Sequence, residues 1–257
     1  MENLPSNSQL DRLGERLRSG DAPSRDDLRL LQQFRAAHTP ALTVVEAELQ
    51  RLGFSPTSRT KTPGTIIDKL VRETTRLTSI QDIAGTRIVP DVTLDEQDAI
   101  VSKIAARLGG KVYDRRETPS HGYRAVHLVA RVQTRRVEVQ VRTPLQHLWA
   151  EVMERVADRF GRGIRYGEMP REAARRGTVE GLIALSENIA HHEGLRASLE
   201  ALAAELPAGE SSSDLTPIED VAVDRFTALK RRVDDDEISF RRALTVILDA
   251  LEEGESV

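Results

Sequence analysis

The feature that most constrains the fold is an alternating run at residues 135–142, which reads RRVEVQVR. Successive side chains of a β-strand point to opposite faces of a sheet, so the three valines share one face and Glu138, Gln140 and Arg142 share the other. The run therefore predicts a strand with one buried and one polar face. A solvent-facing strand of an antiparallel sheet has the same pattern, but a carboxylate beside a carboxamide and a guanidinium also suits a site that holds a metal and orients a hydroxyl.

The remaining periodicity predicts helices that alternate with short strands. The predicted helices cover residues 8–19, 25–37, 41–52, 63–75, 93–109, 144–160, 170–206, 216–232 and 236–252. The predicted strands cover residues 84–89, 111–116, 125–132 and 135–142. This order indicates an α/β (α+β) fold. The segment at 207–215, which is rich in Pro, Gly and Ser, is predicted to be a linker.

The composition narrows the chemistry. The 257 residues include no cysteine, which excludes disulfides, cysteine-ligated zinc and thiol catalysis. A metal must then take oxygen or imidazole ligands, and Mg²⁺ held by carboxylates is favoured. No apolar run approaches the roughly 20 residues that span a bilayer. The polar N-terminus lacks the apolar centre of a signal peptide, so we expect a cytoplasmic protein with no membrane partner.

Four basic residues cluster around one predicted helix, although the net charge of the chain is −4. Lys69 and Arg72 lie side by side on that helix, next to its apolar stripe. Arg59 and Lys61 precede the helix in a predicted loop, close to the exposed amides of the helix N-terminus. The four cations form a candidate cradle for a triphosphate, and a solvated cationic helix face is the alternative.

An acidic residue stands just ahead of the first predicted strand, in the segment 81–87, which reads QDIAGTR. Asp82 and Glu138, supplied by neighbouring strands, are suited to clamp one Mg²⁺, which takes its other ligands from water and phosphate oxygens. The glycine of the segment permits close approach of another backbone. Asp and Gly are also ordinary turn residues, so a purely structural turn is the alternative.

The segment 121–127, which reads HGYRAVH, places an aromatic and a cation directly after a glycine. Tyr123 is a candidate platform on which a base stacks. His127 has the alternative of a hydrogen-bonded core histidine. Trp149 falls on the apolar stripe of a predicted helix and is expected in the core.

Five motifs, taken in order and spacing over about residues 55–160, resemble the synthetase domain of the RelA/SpoT alarmone synthetases. They are Arg59-Thr-Lys61-Thr, Lys69-Leu-Val-Arg72, Asp82-Ile-Ala-Gly-Thr-Arg87, His121-Gly-Tyr-Arg-Ala-Val-His127, and Val137-Glu-Val-Gln-Val-Arg-Thr143 followed by His147-Leu-Trp-Ala-Glu151. The resemblance implies a nucleotidyltransferase-like mixed β-sheet flanked by helices. It also implies N-terminal helices at 1–54, a synthetase core at 55–162 and a C-terminal helical extension at 163–257. Without a hydrolase domain ahead of the core, the chain looks like a small member of the family.

The activity that the resemblance implies is that of a pyrophosphokinase, which moves the β,γ-pyrophosphate of ATP to the 3′-hydroxyl of GDP or GTP and releases AMP. Arg59 and Arg87 are expected to sandwich the adenine. Lys61, Lys69 and Arg72 are expected to hold the phosphates of ATP.

The resemblance also implies the metal and acceptor sides of the site. Asp82 is expected to ligate Mg²⁺, and Glu138 to share the metal or to act as the base for the 3′-hydroxyl. Tyr123 is expected to stack on the acceptor base. The other residues expected on the acceptor side are His121, Arg124, His127 and Gln140. Arg142 is expected to support this side rather than to contact substrate.

The acceptor side departs from the family pattern. Many relatives carry a lysine within Pro-Lys-x-Asn-Gly-Tyr, where this chain has Pro119-Ser-His-Gly-Tyr123. The candidate substitutes for that cation are Arg115, Arg116, His121 and Arg124. Two alternatives follow: a toxic synthetase that modifies the 3′ end of tRNA or an adenine nucleotide and has an antitoxin partner, and a non-catalytic nucleotide- or RNA-binding module. Retention of both carboxylates argues against the second.

The helices outside the core carry apolar stripes with two interpretations, core packing or self-association. The stripes consist of Leu182, Leu185 and Ile189, and of Leu244, Ile247, Leu248 and Leu251. Small synthetases often form tetramers through helices that flank the core. A homo-oligomer, either a tetramer or a dimer, is therefore expected.

Overall fold

The computed structural model describes residues 5–205 and 217–253. The helices are α1 (Asn7–Arg18), α2 (Arg25–Ala36), α3 (Thr39–Arg51), α4 (Pro63–Glu73), α5 (Leu94–Leu108), α6 (Pro144–Phe160), α7 (Ala173–Glu205) and α8 (Pro217–Glu253). The strands are β1 (Thr57–Thr60), β2 (Ala84–Ile88), β3 (Lys111–Asp114), β4 (Val126–Val132) and β5 (Arg135–Val141). Short 3-10 helices lie at Leu77–Ser79 and Arg162–Tyr166. The predicted linker at 207–215 falls outside the described residues.

The five strands form one mixed sheet in the order β1-β2-β5-β4-β3. β1 is antiparallel to β2, β2 is parallel to β5, and β5 is antiparallel to β4. Parallel pairing of β2 with β5 brings together two segments that lie about 50 residues apart in the chain, which a crossover connection allows. The predicted α/β fold class, with a mixed sheet flanked by helices, is confirmed.

The buried face of β5 is the one that its alternation predicts. Val137, Val139 and Val141 are fully buried and belong to a core cluster with apolar residues of α3 and α5. Glu138 and Gln140 face the other way and are partly exposed. One face of the sheet is therefore committed to packing, and the other is left to polar side chains.

Capping side chains fix where the helices begin. Thr62 Oγ1 accepts a hydrogen bond from the backbone N–H of Thr65, and Pro63 occupies the first turn of α4, where a missing N–H costs nothing. Thr143 and Gln146 form a complete capping box at the start of α6. Because the start of α4 is fixed, the face on which Lys69 emerges is fixed as well.

Two sequence predictions about secondary structure were wrong. Arg59 lies in β1 rather than in a loop; the four residues of this strand contain no apolar side chain, and they are held by pairing with β2. The predicted helices at 216–232 and 236–252 are one continuous helix, α8. No Gly or Pro interrupts residues 218–253, so the backbone has no reason to leave the helix.

Backbone proximity divides the described chain into two compact units. The first unit comprises residues 5–88, 100–113 and 126–141 and contains the sheet and α1 to α4. The second comprises residues 89–99, 114–125, 142–205 and 217–253 and contains α6, α7 and α8. The division of the chain at residues 54 and 162 stays a prediction.

The second unit has its own core around α6. The indole Nε1 of Trp149 donates a hydrogen bond to the carbonyl of Leu182 over 2.6 Å, and the ring is buried, which confirms the core prediction for Trp149. The apolar stripes of α7 and α8 pack in the same cluster, with Leu182, Ile189 and Leu244 buried. Core packing accounts for the buried members of these stripes, and self-association stays a prediction. No helix in the described ranges is both long and apolar enough to cross a bilayer.

Candidate active site

Asp82 of the first unit lies between two lysines. Its Oδ2 atom is 2.5 Å from Nζ of Lys61, and its Oδ1 atom is 3.1 Å from Nζ of Lys69. Lys61 is brought there by its own backbone, since its N–H donates to the carbonyl of Ile83 over 2.8 Å. Lys69 reaches the same carboxylate from the second turn of α4. Lys61, just after β1, and Lys69 of α4 thus meet at the carboxylate of Asp82, just before β2.

The charge state of Asp82 follows from these contacts. Burial raises the pKa of its carboxyl, but the charges of Lys61 and Lys69 and their hydrogen bonds lower it by more, so the pKa lies below its ordinary value. All three side chains keep about a fifth to a quarter of their surface exposed, at 20% for Asp82 and Lys69 and 25% for Lys61. The carboxyl of Asp82 is therefore ionised at neutral pH, and all three side chains remain accessible to a ligand.

Glu138 on β5 is the second carboxylate, and both of its oxygens accept hydrogen bonds. His127 Nδ1 donates to Oε1 over 2.9 Å, and Gln140 Nε2 donates to Oε2 over 2.7 Å. The register produces this arrangement: His127 lies opposite Gln140 in the antiparallel pair of β4 and β5, and is therefore diagonal to Glu138.

Glu138 is also ionised. Burial raises the pKa of its carboxyl, but the hydrogen bond and charge of His127 and the hydrogen bond of Gln140 hold the pKa below its ordinary value. The negative charge of Asp82 acts in the opposite direction and raises it, which places the two carboxylates within electrostatic reach of each other. We call Asp82, Glu138 and their partners Lys61, Lys69, His127 and Gln140 the carboxylate site.

The carboxylate site fits a magnesium ion. Within residues 5–205 and 217–253, no group of three or more acidic or histidine side chains is placed so that it could hold a metal ion. Mg²⁺ does not need such a cage, because it commonly binds one or two carboxylates and takes its other ligands from water and substrate phosphates. Two ionised carboxylates beside lysines provide that donor set.

Two rows of residues cross the polar face of the sheet. Arg59 on β1 lies opposite Gly85 on β2, which lies opposite Glu138 on β5. In the next row, Arg87 on β2 lies opposite Gln140 on β5. Side chains in register on neighbouring strands share a face, so both arginines are on the face of the carboxylate site.

Gly85 leaves open space in the first of these rows. A Cβ atom added there would lie 3.5 Å from the carbonyl oxygen of Glu138, an ordinary contact. Close backbone approach therefore does not explain this glycine. Its missing side chain instead leaves the floor between Arg59 and Glu138 uncovered.

Arg72, the remaining cation predicted for the phosphates, lies on α4 one turn beyond Lys69. Its Nη2 atom is 3.1 Å from Oε1 of Glu73. The other oxygen of Glu73, Oε2, is 3.7 Å from Nζ of Lys69. Arg72 is therefore linked to the carboxylate site through Glu73, which also lies beside Lys69.

The other predicted acceptor-side residues belong to the second unit. Arg142 Nη2 donates to the hydroxyl of Tyr123 over 2.8 Å, and its guanidinium carbon lies 5.0 Å from the centre of the Tyr123 ring. Arg142 is buried, at 4% exposure. Arg124 donates to Ser186 Oγ over 3.2 Å and to the carbonyl of Arg116 over 2.6 Å. These contacts hold the loop, and Tyr123 keeps a partly exposed ring.

The loop before Tyr123 has a strained but well-packed backbone. His121 has a φ of 52° and Gly122 a φ of 87°. A Cβ atom on Gly122 would lie 2.7 Å from the ring of Trp149, so only glycine fits. Of the candidate substitutes for the missing lysine, Arg116 is engaged with Asp114 through a 2.5 Å ion pair, whereas Arg115 and His121 are exposed.

Sequence reasoning missed two polar residues of α7, one that supports this loop and one that supports the start of α6. Ser186 Oγ donates to the carbonyl of Gly122 over 2.5 Å, and the buried carboxyl of Glu193 bonds the hydroxyl of Thr143 and, over 3.0 Å, the amide of Gln146. The available signal was their position on the stripe that also carries Leu182 and Ile189. A polar residue on a buried stripe needs a partner, and here the partners are the loop and the cap of α6.

A mixed sheet whose polar face gathers two carboxylates and several cations suits a protein that handles phosphorylated substrates. Residues 58–157 match the family model described as the region found in RelA / SpoT proteins. The chain contains this RelA/SpoT region, which confirms the recognition from the five motifs.

The chain is also similar to two curated relatives and to a solved structure. Two uncharacterized proteins, of Mycobacterium bovis and of Mycobacterium tuberculosis, are each 39% identical to the chain over 183 residues, which are 66% of this chain and 65% of the relative. The chain thus spans just under two thirds of the length of these curated relatives. The crystal structure of small alarmone synthetase 1 from Bacillus subtilis is similar with a TM-score of 0.56 at 21% identity, over 68% of this chain and 98% of that one. At this identity the likeness shows the fold.

Proposed function

We propose that this protein transfers the β,γ-pyrophosphate of ATP to the 3′-hydroxyl of GDP or GTP and releases AMP. The observation that carries the proposal is the carboxylate site, where two ionised carboxylates lie beside two lysines on the open face of the sheet. A protein that only binds nucleotides has no need of two carboxylates where negatively charged phosphates must enter, because their repulsion weakens binding. A phosphoryl-transfer enzyme does need them.

The donor side follows from the cations on this face. Lys61 and Lys69, which neutralise Asp82 in the free protein, bind the phosphate oxygens of ATP, and Arg72 adds charge from the next turn of α4. Arg59 and Arg87 extend from neighbouring strands of the same face and hold the adenine between their planar guanidinium groups. The gap at Gly85 leaves room for the nucleotide between them.

The transfer itself requires a proton acceptor beside the attacking hydroxyl. Glu138 takes the proton of the 3′-hydroxyl while the 3′-oxygen forms a bond to the β-phosphorus. The bond between that phosphorus and the oxygen shared with the α-phosphate breaks, and AMP leaves with the oxygen and its electron pair. His127 and Gln140 hold Glu138 ionised and oriented. Lys61 and Lys69 stabilise the charge on the transferred group.

Asp82 and Glu138 are the residues that would hold Mg²⁺. When bound, the ion neutralises the phosphate oxygens of ATP and polarises the group that is transferred. The chain's own contribution is to keep both carboxylates ionised and to keep two lysines within reach of the same phosphates.

The acceptor side is proposed to be the loop at 119–124. Tyr123 stacks on the acceptor base, and Arg142 fixes the ring through its hydroxyl and its face. Arg124 keeps the loop in place through Ser186, while the exposed His121 is available to an acceptor phosphate. A cytoplasmic location and a homo-oligomeric state remain predictions, to be tested by fractionation and by measurement of the native mass.

The proposal is tested by incubating the purified protein with Mg²⁺ and ATP labelled at the γ-phosphate, with GDP, GTP, GMP, ADP and tRNA as parallel acceptors. Label in a guanosine product together with stoichiometric AMP supports the proposal. Label in tRNA or in an adenosine product keeps the reaction but replaces the acceptor. If the protein binds ATP but releases no AMP with all five acceptors, enzymatic activity is contradicted and the binding module is favoured.

A further inference from the structure

A second cavity lies in the first unit at the end of the β4–β5 hairpin, and the function proposed above does not use it. It has a volume of about 240 Å³. The residues that line it are Asn7, Phe34, His38, Thr78, Ser79, Ile80, Arg131, Thr134, Arg135 and Arg136. We call it the hairpin cavity. No acidic side chain is among these residues, although the chain as a whole carries a net charge of −4.

Three arginines line the hairpin cavity, and none of them is paired with a carboxylate of the described residues. Arg136 donates to the carbonyl of Ser79 over 3.2 Å, and the guanidinium carbon of Arg135 lies 5.9 Å from the centre of the Phe34 ring. Neither these two nor Arg131 forms an ion pair anywhere in residues 5–205 and 217–253. By contrast, Arg116, Arg196 and Arg241 of the second unit are all paired with acids.

The remaining lining groups suit an anion. The side chains of Ser79 and Thr134 bring hydroxyl groups, which donate hydrogen bonds as readily as they accept them. The hydroxyl of Thr78 instead donates to Asp11 Oδ1 over 2.6 Å. His38 adds no further charge at neutral pH, since burial lowers the pKa of its imidazole and the nearby charge of Arg135 lowers it too, against the hydrogen bond to the carbonyl of Phe34. Positive charge at the cavity therefore comes from the arginines alone.

The register places the hairpin cavity beside the carboxylate site, two residues along the same face of β5. Arg131 and Arg136 lie opposite each other in the pair of β4 and β5, so they share a face of the sheet. Arg136 precedes Glu138 by two residues, a distance of about 7 Å along the strand. It also bonds Ser79, which lies just ahead of Asp82. The cavity thus contacts both segments that supply the site's carboxylates.

We infer that the hairpin cavity binds the phosphate or pyrophosphate group of a small phosphorylated molecule, at a place separate from the ATP phosphates. Guanidinium groups bind phosphate oxygens in a forked geometry, and three of them match the charge of a pyrophosphate. A volume of about 240 Å³ holds a pyrophosphate group but is small for a whole nucleotide, whose typical sites exceed about 300 Å³. A nucleoside attached to the group would therefore extend outside.

Titration calorimetry of the full chain with inorganic pyrophosphate tests this inference. The wild-type protein is expected to bind at two sites, and the variant Lys61→Met/Lys69→Met is expected to retain one. Adding Arg131→Gln/Arg135→Gln is expected to weaken the retained site by about tenfold or more for each arginine removed. Arg136 is kept, because its bond to Ser79 also holds the fold. Thr134→Glu, which puts a carboxylate at the exposed turn, is expected to weaken the same site with every arginine in place.

Lys103→Gln/Arg171→Gln is the matched control, since it removes two exposed cations outside both sites and should leave binding unchanged. Thermal unfolding confirms that each variant is folded. Parallel titrations with phosphate, pyrophosphate and ATP in the Lys61→Met/Lys69→Met background distinguish an inorganic ligand from a nucleotide. Loss of all binding in that background, or unchanged binding after both the arginine substitutions and Thr134→Glu, would overturn the inference. Because no step requires turnover, this result is independent of the proposed pyrophosphate transfer.

Discussion

His127 on β4 donates a hydrogen bond to Glu138 on β5 through Nδ1 and Oε1, 2.9 Å apart. Gln140 occupies the other oxygen, so the carboxylate is oriented before any substrate binds. A base held in place by the fold loses no rotamer freedom when the acceptor arrives. His127 was predicted to line the acceptor side, and this contact favours a different role, that of a positioning residue for Glu138.

Replacing His127 tests that role. His127→Ala is expected to lower kcat by about 10- to 100-fold, the usual cost of losing an orienting partner, and to leave the KM for ATP nearly unchanged. His127→Gln retains a donor at similar reach and should recover most of the activity. Steady-state kinetics of AMP release give both constants. An increase in KM for the acceptor alone, with kcat intact, would show that His127 contacts substrate instead.

The ion pairs of Asp82 predict energetic coupling with Lys61. Removing one partner leaves a partly buried charge, so Lys61→Met and Asp82→Asn are each expected to lower the free energy of unfolding by about 1–3 kcal/mol. The double variant should cost less than the sum, because no unpaired charge remains between these two positions. Urea unfolding of the four proteins measures the coupling. Strict additivity would mean that the 2.5 Å contact contributes nothing to stability.

Two glutamates of the second unit predict opposite responses to pH. His192, whose Nε2 lies 3.8 Å away, and the guanidinium groups of Arg241 and Arg196 lower the pKa of Glu237 to about 2, while burial opposes them. The folded state therefore holds this carboxyl ionised more strongly than the unfolded state does. Its stabilisation is present above about pH 4.5 and is lost as the pH falls from about 4.5 to about 2.

Glu193 behaves in the opposite sense. Burial raises the pKa of its carboxyl, although hydrogen bonds from Thr143 and Gln146 lower it. The unfolded chain then releases the proton first, and stability falls as the pH rises above the ordinary value of 4.5. Glu193→Gln removes this titration, so its midpoint of thermal unfolding, compared with that of the wild type, is expected to be more favourable at pH 8 than at pH 4. Glu237→Gln is expected to lower the midpoint below that of the wild type, and by more at pH 8 than at pH 4. The same pH trend in both variants would contradict the assignment.

The loop that carries Tyr123 depends on one glycine. Gly122→Ala places a methyl group 2.7 Å from the Trp149 ring at a positive φ, so we expect a loss of about 1–3 kcal/mol and a higher KM for the acceptor. Gly177→Ala in α7 is the matched control, since no atom lies within 4 Å of the added Cβ. It should stabilise the protein by about 0.5–1 kcal/mol. Equal effects of the two substitutions would rule out the packing argument.

The sequence predicted best where one strong local pattern matched the tertiary structure. The alternation of β5 identified its buried valines and its polar face, and the stripe of α6 placed Trp149 in the core. Both patterns record which face is buried, so one strand or one helix is enough to interpret them. The prediction that Asp82 and Glu138 belong to one site required the additional assumption that β2 and β5 are neighbours, which the sheet order supports.

The rest depended on partners distant in the sequence. β1 has no apolar residue and exists because β2 pairs with it, so Arg59 was placed in a loop. The roles of Ser186 and Glu193 depend on a loop and a cap that pack against α7. The hairpin cavity combines residues of α1, α2 and the β4–β5 turn, which no local pattern connects. Local periodicity describes faces, whereas contacts between faces have to be seen in the structure.

The central claim is that Glu138 and Asp82 carry out pyrophosphate transfer from ATP. The most direct measurement is acceptor-dependent AMP release by the wild-type protein, Glu138→Gln and Asp82→Asn, with Glu117→Gln as the control for loss of an exposed carboxylate. The account predicts a decrease of at least about 100-fold in both site variants, each of which must still be folded at the assay temperature, and no decrease in the control. Near-normal AMP release by either folded site variant would contradict it.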